Sequence, residues 1–261
     1  IGSEYQSIMC TLVILRRPNH EWPMLMGANR DEIVDRPWHP PARHWEDRPE
    51  VVAGRDLVAG GTWLGINDYG VVAAILNRRG SLGPKEGYRT RGELPLEALD
   101  HTEACTAVKA LAEINPNSYR PFNMVIGDHK DAFWLRLAED HWGVNLEVKP
   151  LPVGLSMITA SDRNDTNSAR IRTYLPQFQI ASEPDAESGD WSGWISLLFS
   201  QIYDSEAGAD GAMFIKADNG FGTVCSSLIA LPSQKNQGVN AKFMFAYGDP
   251  SRSKFAPVDL R

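Results

Sequence analysis

What most constrains this chain is its alternation of short apolar runs with turn-forming tetrapeptides. Strands are expected near Cys10–Leu15, Met24–Ala28, Thr62–Ile66, Val71–Leu76, Asn123–Gly127, Ala132–Leu137, Val144–Val148, Leu155–Thr159, Thr223–Leu231 and Lys242–Tyr247. Runs of this length with β-branched and aromatic residues suit a pleated, half-buried surface. Asn67-Asp68-Tyr69-Gly70 fits a tight hairpin in which glycine supplies the positive φ, and Asp128-His129-Lys130-Asp131 fits a second. Strands joined this closely pair antiparallel.

Three helices are expected. Thr102–Ile114 has Thr102 as a cap, Cys105, Val108, Leu111 and Ala112 at helical spacing, and Asn115-Pro116 as a stop. Ser168–Leu175 is the second, and Ser192–Tyr203 the third, with Trp194, Ile195, Leu198 and Ile202 on one apolar face. Strands in two clusters with helices between and after them imply layers, sheet on sheet with helices outside. Residues 10–261 read as one domain, since no Gly/Ser-rich or Pro-rich linker divides them. Trp134, Trp142, Trp191 and Trp194 suit layer packing.

Composition narrows the function classes. A net charge of -7 gives no general attraction for phosphate backbones, which argues against nucleic acid as a partner and leaves a small-molecule substrate or ligand. No stretch approaches the roughly 18–20 continuous apolar residues of a membrane span. Three cysteines, an odd number with no CxxC pair, suit a reducing compartment, the cytoplasm. Six histidines and three cysteines show no metal-ligand spacing, so no metal is expected. Cys105 and Cys225 read as small buried hydrophobes.

The chemistry-bearing candidates begin at Met9-Cys10-Thr11. Met9 looks like a natural start, with Ile1–Met9 a short leader or a remnant of expression, and removing it leaves Cys10 first. A terminal cysteine carries a thiol and an α-amine of pKa about 7.7–8.0 on one residue, nucleophile and base together. With residue 9 attached that nitrogen is an amide and has no basicity. Asn29-Arg30-Asp31-Glu32 follows an expected strand and reads either as a solvated turn with an Arg–Asp pair or as a cluster able to grip an anionic group. In Gly60-Gly61-Thr62-Trp63-Leu64-Gly65 the glycines permit close backbone approach, for a pocket wall or a twisted strand start. Asn77 ends an apolar run, where its amide either stabilises an oxyanion or caps a turn. Arg91-Gly92-Glu93-Leu94 marks a helix entrance.

Taken together and in this order, Met-Cys, Ala-Asn-Arg-Asp-Glu, Gly-Gly-Thr-Trp-Leu-Gly, Asn77, Arg-Gly-Glu-Leu and Gly222-Thr223 resemble the NRDE family, the transport-and-Golgi-organisation-2 type. The resemblance runs from Met9 to about Ala230. It implies an α+β, αββα four-layer sandwich of the N-terminal-nucleophile (Ntn) hydrolase superfamily. Acylases of that superfamily cleave non-peptide amides with a terminal cysteine. By analogy Cys10 is the nucleophile, Arg30 and Asp31 orient it, Asn77 helps form the oxyanion hole, and Asn29, Glu32 and Trp63 are the candidate substrate contacts. Val224 stands where much of the family has arginine, so the acylases' late arginine has no counterpart in sequence. Thr159-Ala160-Ser161-Asp162 occupies the place of their second asparagine, with Asn164 two positions on. The alternative is a non-catalytic carrier on the same scaffold for haem or a lipid-related ligand, with His39 and His44 of the Pro- and Trp-rich stretch Arg36–Trp45 as candidates.

Overall fold

The computed structural model describes residues 10–141, 143–205, 207–216, 220–235, 238–249 and 253–261. The expected leader Ile1–Met9 and Trp142 lie outside the described residues. In chain order the elements are β1 (Thr11–Arg16), β2 (Met24–Ile33), β3 (Trp38–Ala42), β4 (Val51–Asp56), β5 (Leu64–Asn67), β6 (Val72–Asn77), α1 (Glu93–Leu99), α2 (Ala104–Ala112), β7 (Phe122–Gly127), β8 (Ala132–Asp140), β9 (Gly143–Pro150), β10 (Gly154–Ile158), α3 (Ala169–Ile180), α4 (Ser192–Leu198), β11 (Phe221–Leu231), β12 (Lys242–Tyr247) and β13 (Ala256–Pro257). They fall into two compact units. The first combines the chain up to Asp35 with Pro152–Val258, and the second holds Arg36–Leu151 and Asp259–Arg261. The second is inserted into the first in sequence, so the division falls at chain crossings and not at a linker of distinct composition.

The first unit is a six-stranded antiparallel sheet in the order β10-β1-β2-β11-β12-β13. Its long central pair, β2 and β11, is in register from Met24↔Leu231 to Ile33↔Phe221. Helices α3 and α4 bring Ile171, Tyr174, Phe178, Trp194 and Leu198 into one core with Val13, Leu25, Met157 and Leu228. Burial of aromatic and aliphatic side chains this large, at about 1.5–3 kcal/mol each, is what holds the helices to the sheet. Both helices end differently from expectation. Pro176 does not stop α3, which continues to Ile180 because Phe178 in the next turn still belongs to the core. The third helix ends at Leu198, and Ile202, expected on its apolar face, is exposed.

The second unit is a seven-stranded meander, β3 to β9 in chain order, antiparallel throughout. Leu94 and Leu99 of α1 and Ala107, Val108 and Leu111 of α2 pack with Val51, Ala73, Met124 and Leu135. Three strands are not legible in the sequence, β3 and β4 here and β13 at the edge of the first sheet. β3 contains Pro40 and Pro41 and pairs only with β4, through an irregular register, as prolines allow at a sheet edge. α1 extends the expected helix entrance at Arg91–Leu94.

Both hairpins form. Gly70 has φ +82° in the β5–β6 turn. Asp128 Oδ1 accepts from the backbone N–H groups of Lys130 and Asp131, each at 2.7 Å, in the β7–β8 turn. The other oxygen, Oδ2, accepts from Ala104 N at 2.8 Å. That carboxylate from a hairpin therefore caps α2, which starts at Ala104, and the expected Thr102 cap is not used. Cys105, expected inside, is half-exposed and lies 3.4 Å from Glu103 Oε2, while its neighbours Ala104, Ala107, Val108 and Leu111 face the core.

Gly60–Gly65 and Arg91–Leu94 are two halves of one backbone contact. Thr62 N donates to Gly92 O at 2.9 Å, and a Cβ on Gly61 would stand 2.3 Å from the Gly92 carbonyl carbon. Trp63 lies against Gly54, where a Cβ would come within 2.2 Å of its ring, and meets Trp38 edge-on at 5.7 Å. Trp134, Trp191 and Trp194 are buried as layer packing requires. Among the described residues, no helix is long and apolar enough to cross a membrane, and no three His, Cys, Asp or Glu side chains group to hold a metal ion.

Candidate functional site

Asn29-Arg30-Asp31-Glu32 is not a turn. β2 runs through it to Ile33 because β11 pairs with it throughout, Ser226 opposite Asn29, Cys225 opposite Arg30 and Thr223 opposite Asp31. Asn29, Arg30 and Asp31 are 1%, 5% and 4% exposed, so the solvated-turn reading is excluded. Polar groups buried at this density need hydrogen-bond partners.

Strand alternation sends Asn29 and Asp31 to one side and Arg30 and Glu32 to the other. On the first side Asn29 donates its two amide hydrogens to Leu198 O and Met213 O, each at 2.8 Å, and its oxygen accepts from Ser226 Oγ at 2.7 Å. Asn29 was expected at the substrate, yet its amide is committed to cross-linking β2, β11 and the chain around α4. Asp31 Oδ1 accepts from Thr223 Oγ1 at 2.7 Å and Oδ2 from Arg170 Nη1 at 2.9 Å. Thr223 in turn accepts from Ile215 N at 3.0 Å. On the second side Arg30 Nη2 stands 3.5 Å from Glu32 Oε2.

Cys10 immediately precedes β1, whose Thr11 pairs with Asn29, so Cys10 comes level with Arg30. It is half-buried, and its Sγ lies 3.6 Å from the carbonyl oxygen of Asp31. Burial first, and then the Asp31 carboxylate, push its thiol up to about 12, against the pull of the Asp31 backbone contact and the Arg30 charge. Cys225, on the far side of Arg30, is fully buried and is likewise pushed up to about 12, chiefly by burial. Cys10, Arg30 and Asp31 are thus brought together in the first unit.

Two members of this cluster escaped the sequence reading. Arg170 is one polar residue in the first turn of a helix, with no motif around it, and Thr223 is legible only as part of Gly-Thr. Val224, in the position of the missing arginine, is the extra residue of a β-bulge between Thr223 and Cys225. Asn164 has φ 56° and spends its oxygen on Met157 N at 2.7 Å, and Thr159 Oγ1 lies 3.4 Å from Ser168 Oγ.

Asn77 and Trp63 belong to the second unit. Asn77 is half-buried at the end of β6, and among the described residues no hydrogen bond engages its side-chain amide. His39 and His44 stack on each other at 5.7 Å, and His44 Nε2 lies 2.8 Å from Pro40 O. A carbonyl only accepts, so that nitrogen carries the proton and only Nδ1 of His44 keeps a lone pair.

Two comparisons define the class of fold. The structure resembles a Caenorhabditis elegans orthologue of N-acylethanolamine-hydrolyzing acid amidase (TM-score 0.53, 14% identity, 84% of this chain and 92% of that one). It also resembles a conjugated bile acid hydrolase from Clostridium perfringens (TM-score 0.53, 12% identity, 96% and 94%). The chain has an Ntn-hydrolase-like fold. The family model for Transport and Golgi organisation 2 matches residues 9–243, and the chain belongs to that family. Among curated relatives, the Transport and Golgi organization protein 2 homologues of Bos taurus and Homo sapiens are 33% and 31% identical over 110 residues, 40% of this chain. That matched stretch spans 38% of the length of each of these relatives.

Proposed function

We propose that this protein is an N-terminal-cysteine hydrolase of a non-peptide amide or related acyl bond, working with Cys10 as its first residue. The observation that carries this reading is the position of the Cys10 sulfur, against the Asp31 carbonyl and beside Arg30, in a fold shared with amidases. The four-layer αββα stacking is part of the same reading, as are a cytoplasmic setting and a small-molecule substrate.

In the proposed mechanism the freed α-amine takes the thiol proton, and Sγ bonds to the acyl carbon. The oxyanion is held by backbone N–H donors beside the cysteine. Collapse breaks the C–N bond as the α-ammonium hands its proton to the departing amine. Water then hydrolyses the thioester, releasing the acid and restoring the thiol. Arg30 and Asp31 orient the nucleophile, Glu32 contacts substrate, and Asn29 holds β2 in place. While residue 9 is attached the base does not exist and the thiol is pushed up to about 12, so that form is silent.

The test is acyl transfer from a cysteine-directed acylating probe to Cys10, and its release by water, in the Cys10-first protein. Cys10→Ala and Cys10→Ser are both expected to be inactive. Turnover retained by the alanine variant ends the hydrolase reading. The carrier reading for haem instead requires a Soret band that disappears in His39→Ala and His44→Ala.

A further inference from the structure

We propose that Arg170 is the positioning residue of the Cys10 site: one guanidinium nitrogen, reaching in from α3, ties Thr11 to Asp31 and so fixes the two backbones that hold the cysteine. This rests on the reading of Cys10 as nucleophile. Arg170 Nη1 donates to Thr11 Oγ1 at 2.7 Å and to Asp31 Oδ2 at 2.9 Å. Thr11 is the residue after the nucleophile, and Asp31 is the residue whose carbonyl lies against its sulfur. All three side chains are buried, those of Arg170 and Asp31 being 5% and 0% exposed. A charge-assisted pair in such surroundings is short and directional.

The geometry also fixes what Arg170 does not do. Thr11 and Asp31 turn their side chains to the side where α3 packs, whereas residues 10 and 30 alternate to the other. The guanidinium therefore reaches the sulfur only through Thr11 and Asp31. Thr223 completes the arrangement by holding the second carboxylate oxygen at 2.7 Å, so Asp31 is pinned from α3 and β11 together. The groups whose charge bears on Cys10 are Asp31, Arg30 and Glu32 of β2, with Cys225 of β11 alongside. Arg170 sets where the Asp31 charge sits and how far it is neutralised. A guanidinium from a helix thus stands at a site whose sequence has valine at 224.

The test is the rate of Cys10 alkylation by iodoacetamide against pH, read at residue 10 by peptide mass spectrometry, in Cys10-first protein. Arg170→Gln is expected to move the midpoint up by about one pH unit, about tenfold less labelling near neutrality. Arg170→Lys, which keeps the charge, is expected to restore the midpoint. Thr11→Val keeps both charges and removes one anchor, so it is expected to slow labelling severalfold at an unchanged midpoint. Arg170→Gln and Thr11→Val profiles that superimpose on the unaltered protein overturn the proposal while leaving Cys10 as nucleophile. If Arg170→Gln does not fold, Thr11→Val decides alone by the same criterion. A Cys10 inert even in the unaltered protein overturns the nucleophile reading and this inference with it.

Discussion

Asn29 in the first unit and Asn67 in the second perform the same physical task over very different reaches of chain. Both are buried, at 1% and 4% exposure, and both donate their two amide hydrogens to two backbone carbonyls. Asn67 takes its acceptors from Leu99 and His101 and receives Tyr69 N and Val71 N within its own hairpin. The acceptors of Asn29, Leu198 and Met213, lie 169 and 184 residues away. The second unit is therefore built by local closure, a meander pinned by its turns. The first is built by a polar layer that exists only once distant strands and helices have met, and that layer supports Cys10.

The largest effect expected on this contrast comes from Asp31→Ala, which takes away the carboxylate facing Arg170 inside the first unit. It should cost about 3–5 kcal/mol in chemical denaturation, and a loss below about 1 kcal/mol would show that the layer does not anchor the unit. Asn29→Ala and Asn67→Ala should each cost about 1–3 kcal/mol, since buried carbonyls lose their donors. Hydrogen exchange distinguishes the two. Asn67→Ala should deprotect Tyr69 and Val71 nearby, and Asn29→Ala the distant segments around Leu198 and Met213. Deprotection confined to β2 in Asn29→Ala would break the comparison. Gly70→Ala should cost only about 1 kcal/mol, because φ is +82° there but no atom lies within 4 Å of the added Cβ.

Near neutral pH the smallest effect is that of Cys225, whose contribution emerges only under alkaline conditions. Folded Cys225 keeps its proton up to about 12, whereas the unfolded thiol releases it near 9.0. The folded state binds more protons across that window, so stability falls as pH rises from about 9 to 12. Cys225→Ala should flatten this slope and leave the curve below pH 8 unchanged. An identical alkaline slope would show that the thiol is not held neutral by the fold.

The contrast also explains what was legible in the sequence. Apolar alternation and turn chemistry located ten of the strands and both hairpins, and they act over a few residues. The β3 edge was hidden by its prolines, and the α2 cap lay with Asp128, 24 residues from Ala104. In the site, Cys10, Arg30 and Asp31 were readable as a motif, although the strand continuing through them was not. Arg170 and Thr223 carried no local signal, because their partners lie 139, 159 and 192 residues away.

The most direct measurement compares Cys10 labelling by iodoacetamide at pH 7.5 in two forms of the protein, one retaining Met9 and one beginning at Cys10, each verified by intact mass. Rapid labelling is expected when Cys10 is first and near inertness when Met9 remains. Equal rates in the two forms, or a Cys10-first thiol as slow as the masked one, would contradict this expectation.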